Sequence, residues 1–264
     1  MYEFSYHKSA SVDAAVAAMQ KAEDGKFVAG GQTMLPTMKL RLAQPSDLID
    51  LGGTADLVGI TDSGDSITIG AMTTHAAVAA SSEVQGAIPA LADLAGHIGD
   101  PAVRNRGTIG GSIANNDPVA DYPAAVIALG ATVKTNKREI AGDDFFTGIF
   151  ETALEKDEVI TAVSFPKADV ASYMKFENPA SRYAIVGVFV AKTGGSVRVA
   201  VTGATACAHR AMRLEEALNN NFSAGAVDGV AIPVEKMNAD IHASAEYRAH
   251  LVKVMTKRAV AACG

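Results

Sequence analysis

The chain has 264 residues, of which 48% are hydrophobic and 20% charged, and its formal net charge is −6. This composition is typical of a globular protein of one or two domains, and the acidic balance argues against a nucleic-acid-binding surface, which must be basic. No apolar run reaches the ~18 residues of a membrane span and the first ten residues do not resemble a signal peptide, so we expect a cytoplasmic protein. Two cysteines, Cys207 and Cys263, are too few for an iron–sulfur cluster, and the six histidines show no metal-ligand spacing.

The first 54 residues predict a small α/β unit. After an extended start, a helix is capped by Ser11 and closed by Gly25. A strand over residues 26–29 then leads directly into a glycine pair, a helix covers residues 34–42, and a further strand lies at residues 47–51. The glycine pair therefore follows the carboxyl end of a strand, where open α/β sheets commonly bind ligands.

The rest of the chain mixes strands and helices before it ends in a separate C-terminal pattern. Up to residue 168 we predict strands at 66–70, 131–135 and 157–165, a helix over 75–80 capped by Thr73 or Thr74, a helix over 89–98, and a short apolar segment at 124–130. Residues 172–204 predict three strands, with Gly194 and Gly195 as a hairpin turn. Helices at about 209–219 and 244–262 follow, and we expect them to cover one face of the three-stranded sheet.

Two glycine pairs carry most of the functional information. Residues 26–36 read KFVAGGQTMLP, and residues 103–123 read VRNRGTIGGSIANNDPVADYP. A glycine pair alone is usually only a turn, but adjacent glycines also let a bulky anion approach backbone N–H groups, and a following hydroxyl can donate to the same oxygens. Two such loops predict a clamp on one extended anion, such as a dinucleotide pyrophosphate. Neither GxGxxG nor the Walker pattern occurs, so the ligand is not held in the Rossmann manner.

Charged residues beside the second loop leave alternatives open. Asp117 and Asp121 are solvated loop carboxylates, or they form an Asx turn before Pro118, or they accept from ribose or ribityl hydroxyl groups. Arg104 and Arg106 either neutralise phosphate or pair with Asp100, and the sequence does not decide between these roles.

The segments AGGQTMLPTMKLR (29–41) and RNRGTIGGSIANNDPVADYPAA (104–125) resemble the two flavin-binding motifs of the medium, FAD-binding subunits of molybdenum hydroxylases. This family includes carbon monoxide dehydrogenase and xanthine dehydrogenase. The resemblance spans the chain, because DEVITAVSFP (157–166) resembles the flavin-side strand, and the segments from VRVAVTGA to the last helix resemble the C-terminal domain of that subunit.

The resemblance implies an α+β fold in two domains. Residues 1–168 would form a two-subdomain FAD-binding module of the vanillyl-alcohol-oxidase (PCMH) type, with subdomains at about 1–54 and 55–168. Residues 169–264 would form the C-terminal domain, a three-stranded sheet with helices.

The resemblance also implies which residues hold FAD. At the first loop these are Lys26, Phe27, Val28, Ala29, Gly30, Gly31, Gln32, Thr33 and Met34; at the second they are Thr108, Ile109, Gly110, Gly111 and Ser112. Asp121 would contact the sugar portion and Ile160 would lie near the isoalloxazine. Lys175, by its pattern alone a surface lysine, would reach the cofactor from the following strand. The stretch 177–181 lacks the basic-rich loop of the carbon monoxide type, which leaves the electron acceptor and the substrate open.

The implied function is electron transfer within a heterotrimer. Electrons would arrive from a [2Fe–2S] small subunit and pass through FAD to an acceptor such as NAD⁺, a quinone or oxygen, while the substrate would be hydroxylated on a large molybdopterin subunit. We expect a dimer of such heterotrimers, and we predict no catalytic acid, base or metal ligand in this chain. The alternatives are a self-contained FAD-dependent oxidase or dehydrogenase and a nucleotide-binding scaffold protein.

Overall fold

The computed structural model describes residues 1–263, and it begins with a three-stranded parallel sheet. Its elements are β1 (Ser5–Lys8), α1 (Val12–Lys21), β2 (Gly25–Val28), α2 (Met34–Lys39) and β3 (Asp47–Asp50). β3 lies between β1 and β2 and is parallel to both. Ser11 caps α1 as predicted, because its hydroxyl accepts a hydrogen bond from the N–H of Ala14 at 3.2 Å. The carboxyl ends of the three strands therefore meet at one edge of the sheet.

Gly25 was predicted to close α1. It instead begins β2. A β-carbon placed on Gly25 would lie 2.7 Å from the sulfur of Met19 and 2.8 Å from Cβ of Ala22. Glycine is needed here because the strand packs tightly against the helix. α2 is also shorter than predicted, since it ends at Lys39 rather than at residue 42.

The second part of the chain surrounds a five-stranded antiparallel sheet. Its strands are β4 (Ile60–Asp62), β5 (Ser66–Gly70), β6 (Thr132–Thr135), β7 (Glu139–Ala141) and β10 (Ile160–Pro166), in the order β4-β5-β10-β6-β7; β8 (Phe146–Gly148) and β9 (Glu151–Thr152) form a separate hairpin. Its helices are α3 (His75–Ala80), α4 (Ser82–Ala87), α5 (Pro89–Gly96), α6 (Pro101–Arg104), α7 (Ile109–Asn115), α8 (Tyr122–Ala128) and α9 (Gly142–Phe145).

Helices α3 and α8 show what local sequence could and could not predict. Thr74 caps α3, because its hydroxyl accepts from the N–H of Ala77 at 3.3 Å. α8 was expected only as a short apolar segment, and all seven of its residues are buried. A helix that is buried on every side has no polar face, so its sequence lacks the periodicity that identifies a helix.

The third part is a four-stranded antiparallel sheet with two helices. Its elements are β11 (Val170–Glu177), β12 (Ala184–Thr193), β13 (Ser196–Thr202), β14 (His209–Arg210), α10 (Met212–Asn220) and α11 (Ala245–Ala262). The predicted hairpin at Gly194 and Gly195 is present, with φ of +55° and +86°. The prediction of three strands omitted β14, whose two residues were assigned to the start of the following helix.

Both faces of this last sheet are buried. Val188 and Val190 of β12 pack in the core formed with α10 and α11, whereas the alternate residues Phe189 and Ala191 belong to the main core of the second part. β11, β12 and β13 contact α5 and α8 on that side. The expected helices therefore cover one face, and the preceding part of the chain covers the other. Within residues 1–263, no helix combines the length and apolar character needed to cross a bilayer.

Candidate cofactor-binding site

The first glycine loop presents a row of successive backbone N–H groups just after the carboxyl end of β2. Gly31 has φ of +74°, a conformation that glycine adopts without strain, and it turns the chain from β2 towards Met34 at the start of α2. Within residues 1–263, the N–H groups of Gly30, Gly31, Gln32 and Thr33 donate to no protein acceptor. Successive free N–H groups at a turn form an anion-binding concavity. This loop is therefore suited to bind a phosphate group.

The second glycine loop is ordered by its own hydrogen bonds. Thr108 caps α7, because its hydroxyl accepts from the N–H of Gly111 at 3.1 Å, and its carbonyl accepts from the N–H of Ser112 at 3.0 Å. Both N–H groups are thus already bonded, which leaves the surface of Gly111 and the partly exposed side chain of Ser112 for a ligand.

Gly110 and Ile109 anchor this second loop to the end of β5. The N–H of Gly110 donates to the carbonyl of Ala71 at 2.8 Å, and the N–H of Ile109 donates to that of Thr73 at 3.1 Å. A β-carbon on Gly110 would lie 2.6 Å from Cβ of Ala71. The glycine at position 110 is thus required by the packing of α7, and the geometry does not aim its N–H at a ligand.

The structure brings the two glycine loops into contact. A β-carbon on Gly30 would overlap the carbonyl of Arg106 and lie 2.8 Å from Cα of Gly107. On the other side, a β-carbon on Gly111 would lie 3.3 Å from Cβ of Ala29. Loops that are about 80 residues apart in sequence therefore lie side by side, with glycine backbone at the points of contact.

A cavity of about 260 Å³ opens where the loops meet. It is lined by Ala29 and Gly30, by residues 51–55, by Val58, Met72 and Thr74, and by Asn105, Arg106 and Thr108. Residues 52–54 form a further Gly-Gly pair followed by a hydroxyl residue, at the carboxyl end of β3. This pair was not predicted as part of the site, although, as in the two predicted loops, a hydroxyl residue follows within two positions of the glycines.

The structure separates the roles of the two arginines that precede the second loop. The guanidinium of Arg104 donates to the carbonyls of Ile98 at 3.1 Å and Gly99 at 2.9 Å, and Asp100 caps α6 instead of pairing with an arginine. Arg106 is exposed at the cavity, and within residues 1–263 its guanidinium makes no ion pair or side-chain hydrogen bond. Of the two, Arg106 is the cation available to a ligand.

Several residues of the predicted FAD site lie away from this cavity. Lys26 forms an ion pair with Asp24 at 3.4 Å, near the amino end of β2. Phe27 packs in the core beneath α1, Val28 packs on the opposite face of the sheet, and Ile160 is buried in the main core. Phe27, Val28 and Ile160 therefore pack in the core instead of lining the cavity, and Lys26 lies at the surface.

Asp121 and Lys175 lie together, buried between the second and third parts of the chain. The Nζ of Lys175 lies 3.1 Å from Oδ1 of Asp121, and the two side chains are only 6% and 4% exposed. The hydroxyl of Tyr173 also donates to Asp121, and Lys175 donates to the carbonyl of His97 at 3.0 Å. Lys175 is therefore not a surface lysine. No motif in the sequence marks Tyr173, although strand alternation places it on the same face of β11 as Lys175.

The charge state of this cluster follows from its burial. Burial raises the pKa of Asp121, and the charge of Lys175 and the hydrogen bond from Tyr173 oppose that rise. Burial and the neighbouring carboxylate hold the pKa of Tyr173 well above its ordinary value, so the phenol stays protonated and can donate. Asp117 forms an Asx turn, one of the alternatives for it, because it accepts from the N–H of Val119 at 3.1 Å.

His75 lies behind the second loop and is almost completely buried. A β-carbon on Gly107 would lie 2.6 Å from its Nε2, and its ring is 5.4 Å from that of Tyr122. Burial, together with the charge of Arg104, lowers the pKa of His75 to about 4. The imidazole is therefore neutral at physiological pH and packs as a flat, compact side chain against the loop.

Comparison with known proteins identifies the family of this chain. Residues 2–168 match the FAD binding domain in molybdopterin dehydrogenase, and residues 171–263 match the CO dehydrogenase flavoprotein C-terminal domain. The chain is 36% identical to the nicotine 6-hydroxylase medium subunit of Paenarthrobacter nicotinovorans, over 98% of this chain and 96% of that one. It is 37% identical to the carbon monoxide dehydrogenase medium chain of Hydrogenophaga pseudoflava, over 97% of this chain and 96% of that one.

Solved structures give the same result. A chain of reconstituted CO dehydrogenase from Oligotropha carboxidovorans superposes with a TM-score of 0.92 at 33% identity, covering 99% of this chain and 98% of that one. Matches of this extent leave no large part of the chain outside the alignment. The protein therefore belongs to the family of FAD-binding medium subunits of molybdenum hydroxylases, the oxidoreductase family of the carbon monoxide dehydrogenase medium chains.

Proposed function

We propose that this chain passes electrons from a [2Fe–2S] small subunit through FAD to an external acceptor such as NAD⁺, a quinone or oxygen. The substrate would be hydroxylated on a large molybdopterin subunit, and two such heterotrimers would associate. The domain division at residues 168 and 169, with subdomains at about 1–54 and 55–168, belongs to the same proposal. The free thiols of Cys207 and Cys263 favour a cytoplasmic location, because intracellular proteins keep cysteines reduced.

The observation that carries this proposal is the contact between the two glycine loops. In the part of the chain that the structure describes, the four successive N–H groups at residues 30–33 donate to no protein acceptor, and they lie against the ordered loop of residues 107–112. Arg106 adds a cation at the same cavity. This combination of free donors, a single positive charge and close backbone approach suits a diphosphate.

The residues of this chain would bind and orient FAD rather than react with it. The loop at residues 29–33, Thr108, Ser112 and Arg106 would hold the diphosphate, while Asp121 and Lys175 would hold the part that carries the flavin. Bound FAD supplies redox chemistry that joins one-electron and two-electron carriers. Within residues 1–263, no three His, Cys, Asp or Glu side chains are placed to hold a metal ion together.

The proposal is tested by comparing the chain alone with the chain in its native assembly. We expect the isolated chain to show a flavin spectrum that no organic substrate bleaches. Affinity purification from the native host is expected to recover a [2Fe–2S] protein and a large molybdopterin protein, and substrate should then reduce the flavin.

Two results would contradict the proposal in different ways. A chain that binds no flavin would remove the cofactor assignment. A lone chain that oxidises an organic substrate as fast as the assembly does would identify a self-contained FAD-dependent oxidase or dehydrogenase instead.

A further inference from the structure

Tyr173 is a buried hydrogen-bond donor for which the family resemblance assigns no role. Its hydroxyl donates to Oδ1 of Asp121, and only 5% of the residue is exposed. Asp121 belongs to the second part of the chain, at the start of α8, whereas Tyr173 lies on β11 of the third part. The hydrogen bond therefore joins the two parts at the residue expected to contact the cofactor.

The surroundings of Tyr173 fix its hydroxyl in one place. Its ring packs beside that of Phe189, with 6.1 Å between centroids and 30° between planes. On the neighbouring strand, Gly187 lacks a side chain, and a β-carbon there would overlap the Tyr173 hydroxyl. Gly187 does not have a positive φ, so close approach of the hydroxyl, and not backbone conformation, accounts for glycine at this position.

The hydrogen bond from Tyr173 determines how Asp121 presents its oxygens. Oδ1 of the carboxylate is shared by the Tyr173 hydroxyl and by Lys175, which lies 3.1 Å away, while Oδ2 accepts from Lys175 at 3.2 Å. Lys175 is itself held by the carbonyl of His97. Without the phenol, one oxygen of a buried carboxylate would lose a charge-assisted donor and its fixed orientation.

We propose that Tyr173 is a positioning residue for FAD. Acting through Asp121, it would orient the ribityl and flavin half of the cofactor, while the glycine loops hold the diphosphate half independently. This inference rests on the proposed binding of FAD, and it concerns a residue that need not touch the cofactor. It predicts that loss of the Tyr173 hydrogen bond weakens recognition of one half of FAD and leaves the other half unaffected.

ADP and FAD distinguish the two halves, because ADP carries the adenosine diphosphate but neither ribityl chain nor flavin. For the full-length apoprotein, we expect Tyr173→Phe to raise the Kd for FAD about 10-fold or more, the loss typical of one hydrogen bond to a charged group, and to change the visible spectrum of bound flavin. The Kd for ADP should stay within about twofold. Gly187→Ala should reproduce both results, because the added methyl group displaces the Tyr173 hydroxyl. This variant tests the proposal if Tyr173→Phe does not fold.

Tyr247→Phe is the matched control. Tyr247 lies on α11, is 43% exposed and makes no side-chain hydrogen bond within residues 1–263, so its loss of a hydroxyl should leave both Kd values unchanged. Unchanged FAD affinity in Tyr173→Phe would overturn the inference, as would an equal loss of FAD and ADP affinity, which would indicate a merely structural role. Failure of the unmodified chain to bind FAD would instead contradict the proposed function.

Discussion

Gly30 lies so close to the carbonyl of Arg106 that no β-carbon can be placed between them. The same hypothetical β-carbon would lie 2.8 Å from Cα of Gly107. The first glycine loop thus rests directly on the segment that leads into the second loop. The relative position of the two loops depends on glycine at position 30.

Replacing Gly30 with alanine should separate the loops. Relief of the overlap requires backbone movement, so we expect a loss of about 1–3 kcal/mol in the free energy of unfolding, as for other overpacked sites. The Kd for FAD, measured by titration of the apoprotein, should rise about 10-fold or more. Gly86→Ala is the control, because Gly86 lies in α4 and, among the described residues, a β-carbon there would meet no atom within 4 Å beyond its chain neighbours and the backbone of its own helix. Stoichiometric FAD in purified Gly30→Ala would show that contact between the loops is not needed for binding.

The buried pair of Asp121 and Lys175 should show strong coupling. Asp121→Asn leaves the Lys175 ammonium without its counter-charge, and Lys175→Met leaves a buried carboxylate with only one donor. Each change is expected to cost about 3–5 kcal/mol of unfolding free energy, measured in urea. The double variant buries neither charge, so it should lose at least about 2 kcal/mol less than the sum of the single losses. Additive losses would mean that the two charges do not stabilise each other.

Arg106 should contribute electrostatically to FAD affinity. Its guanidinium is at the cavity and is not engaged by any side chain within residues 1–263. We expect Arg106→Gln to raise the Kd for FAD about two- to fivefold at low salt, because an exposed ion pair contributes up to about 1 kcal/mol. The dependence of Kd on ionic strength should also become weaker. Arg258→Gln, an exposed change on α11, should alter neither quantity. An identical salt dependence in Arg106→Gln would exclude a phosphate contact.

Local signals predicted much of this fold and of the first glycine loop. Alternating β-branched residues and the Gly194–Gly195 turn are sufficient to identify the β12–β13 hairpin, and Ser11 and Thr74 mark two helix starts. Gly25 was predicted to close α1, but its role is close packing against Met19, which no local pattern encodes.

The site was harder to predict where it depends on distant contacts. Asp121 and Lys175 were each identified, but their 54-residue separation concealed that they bind one another. Gly110 has the sequence of an anion-binding loop, yet its N–H is bonded to Ala71. Tyr173 carries no motif, and only the folded position of Asp121 makes it informative.

His75 should make the protein sensitive to acid. Its pKa is lowered to about 4 in the folded chain, against 6.5 for an ordinary histidine, so the unfolded chain binds the proton more readily. The contribution of His75 to stability is therefore complete above pH 6.5 and is lost as the pH falls from 6.5 towards 4. The shift corresponds to about 3 kcal/mol, because each pKa unit is worth about 1.4 kcal/mol.

A variant without the imidazole should lose this part of the pH dependence. Urea unfolding of the unmodified chain and of His75→Leu, each at pH 7 and at pH 4.5, gives the change in the free energy of unfolding between the two pH values for each protein. Between pH 7 and pH 4.5, we expect the free energy of unfolding to fall by about 2–3 kcal/mol more in the unmodified chain than in His75→Leu, because leucine binds no proton. His242→Leu, at an exposed position, should show the same pH dependence of stability as the unmodified chain. Parallel pH profiles for the unmodified chain and His75→Leu would mean that the imidazole behind the second loop is solvated and titrates like an ordinary histidine.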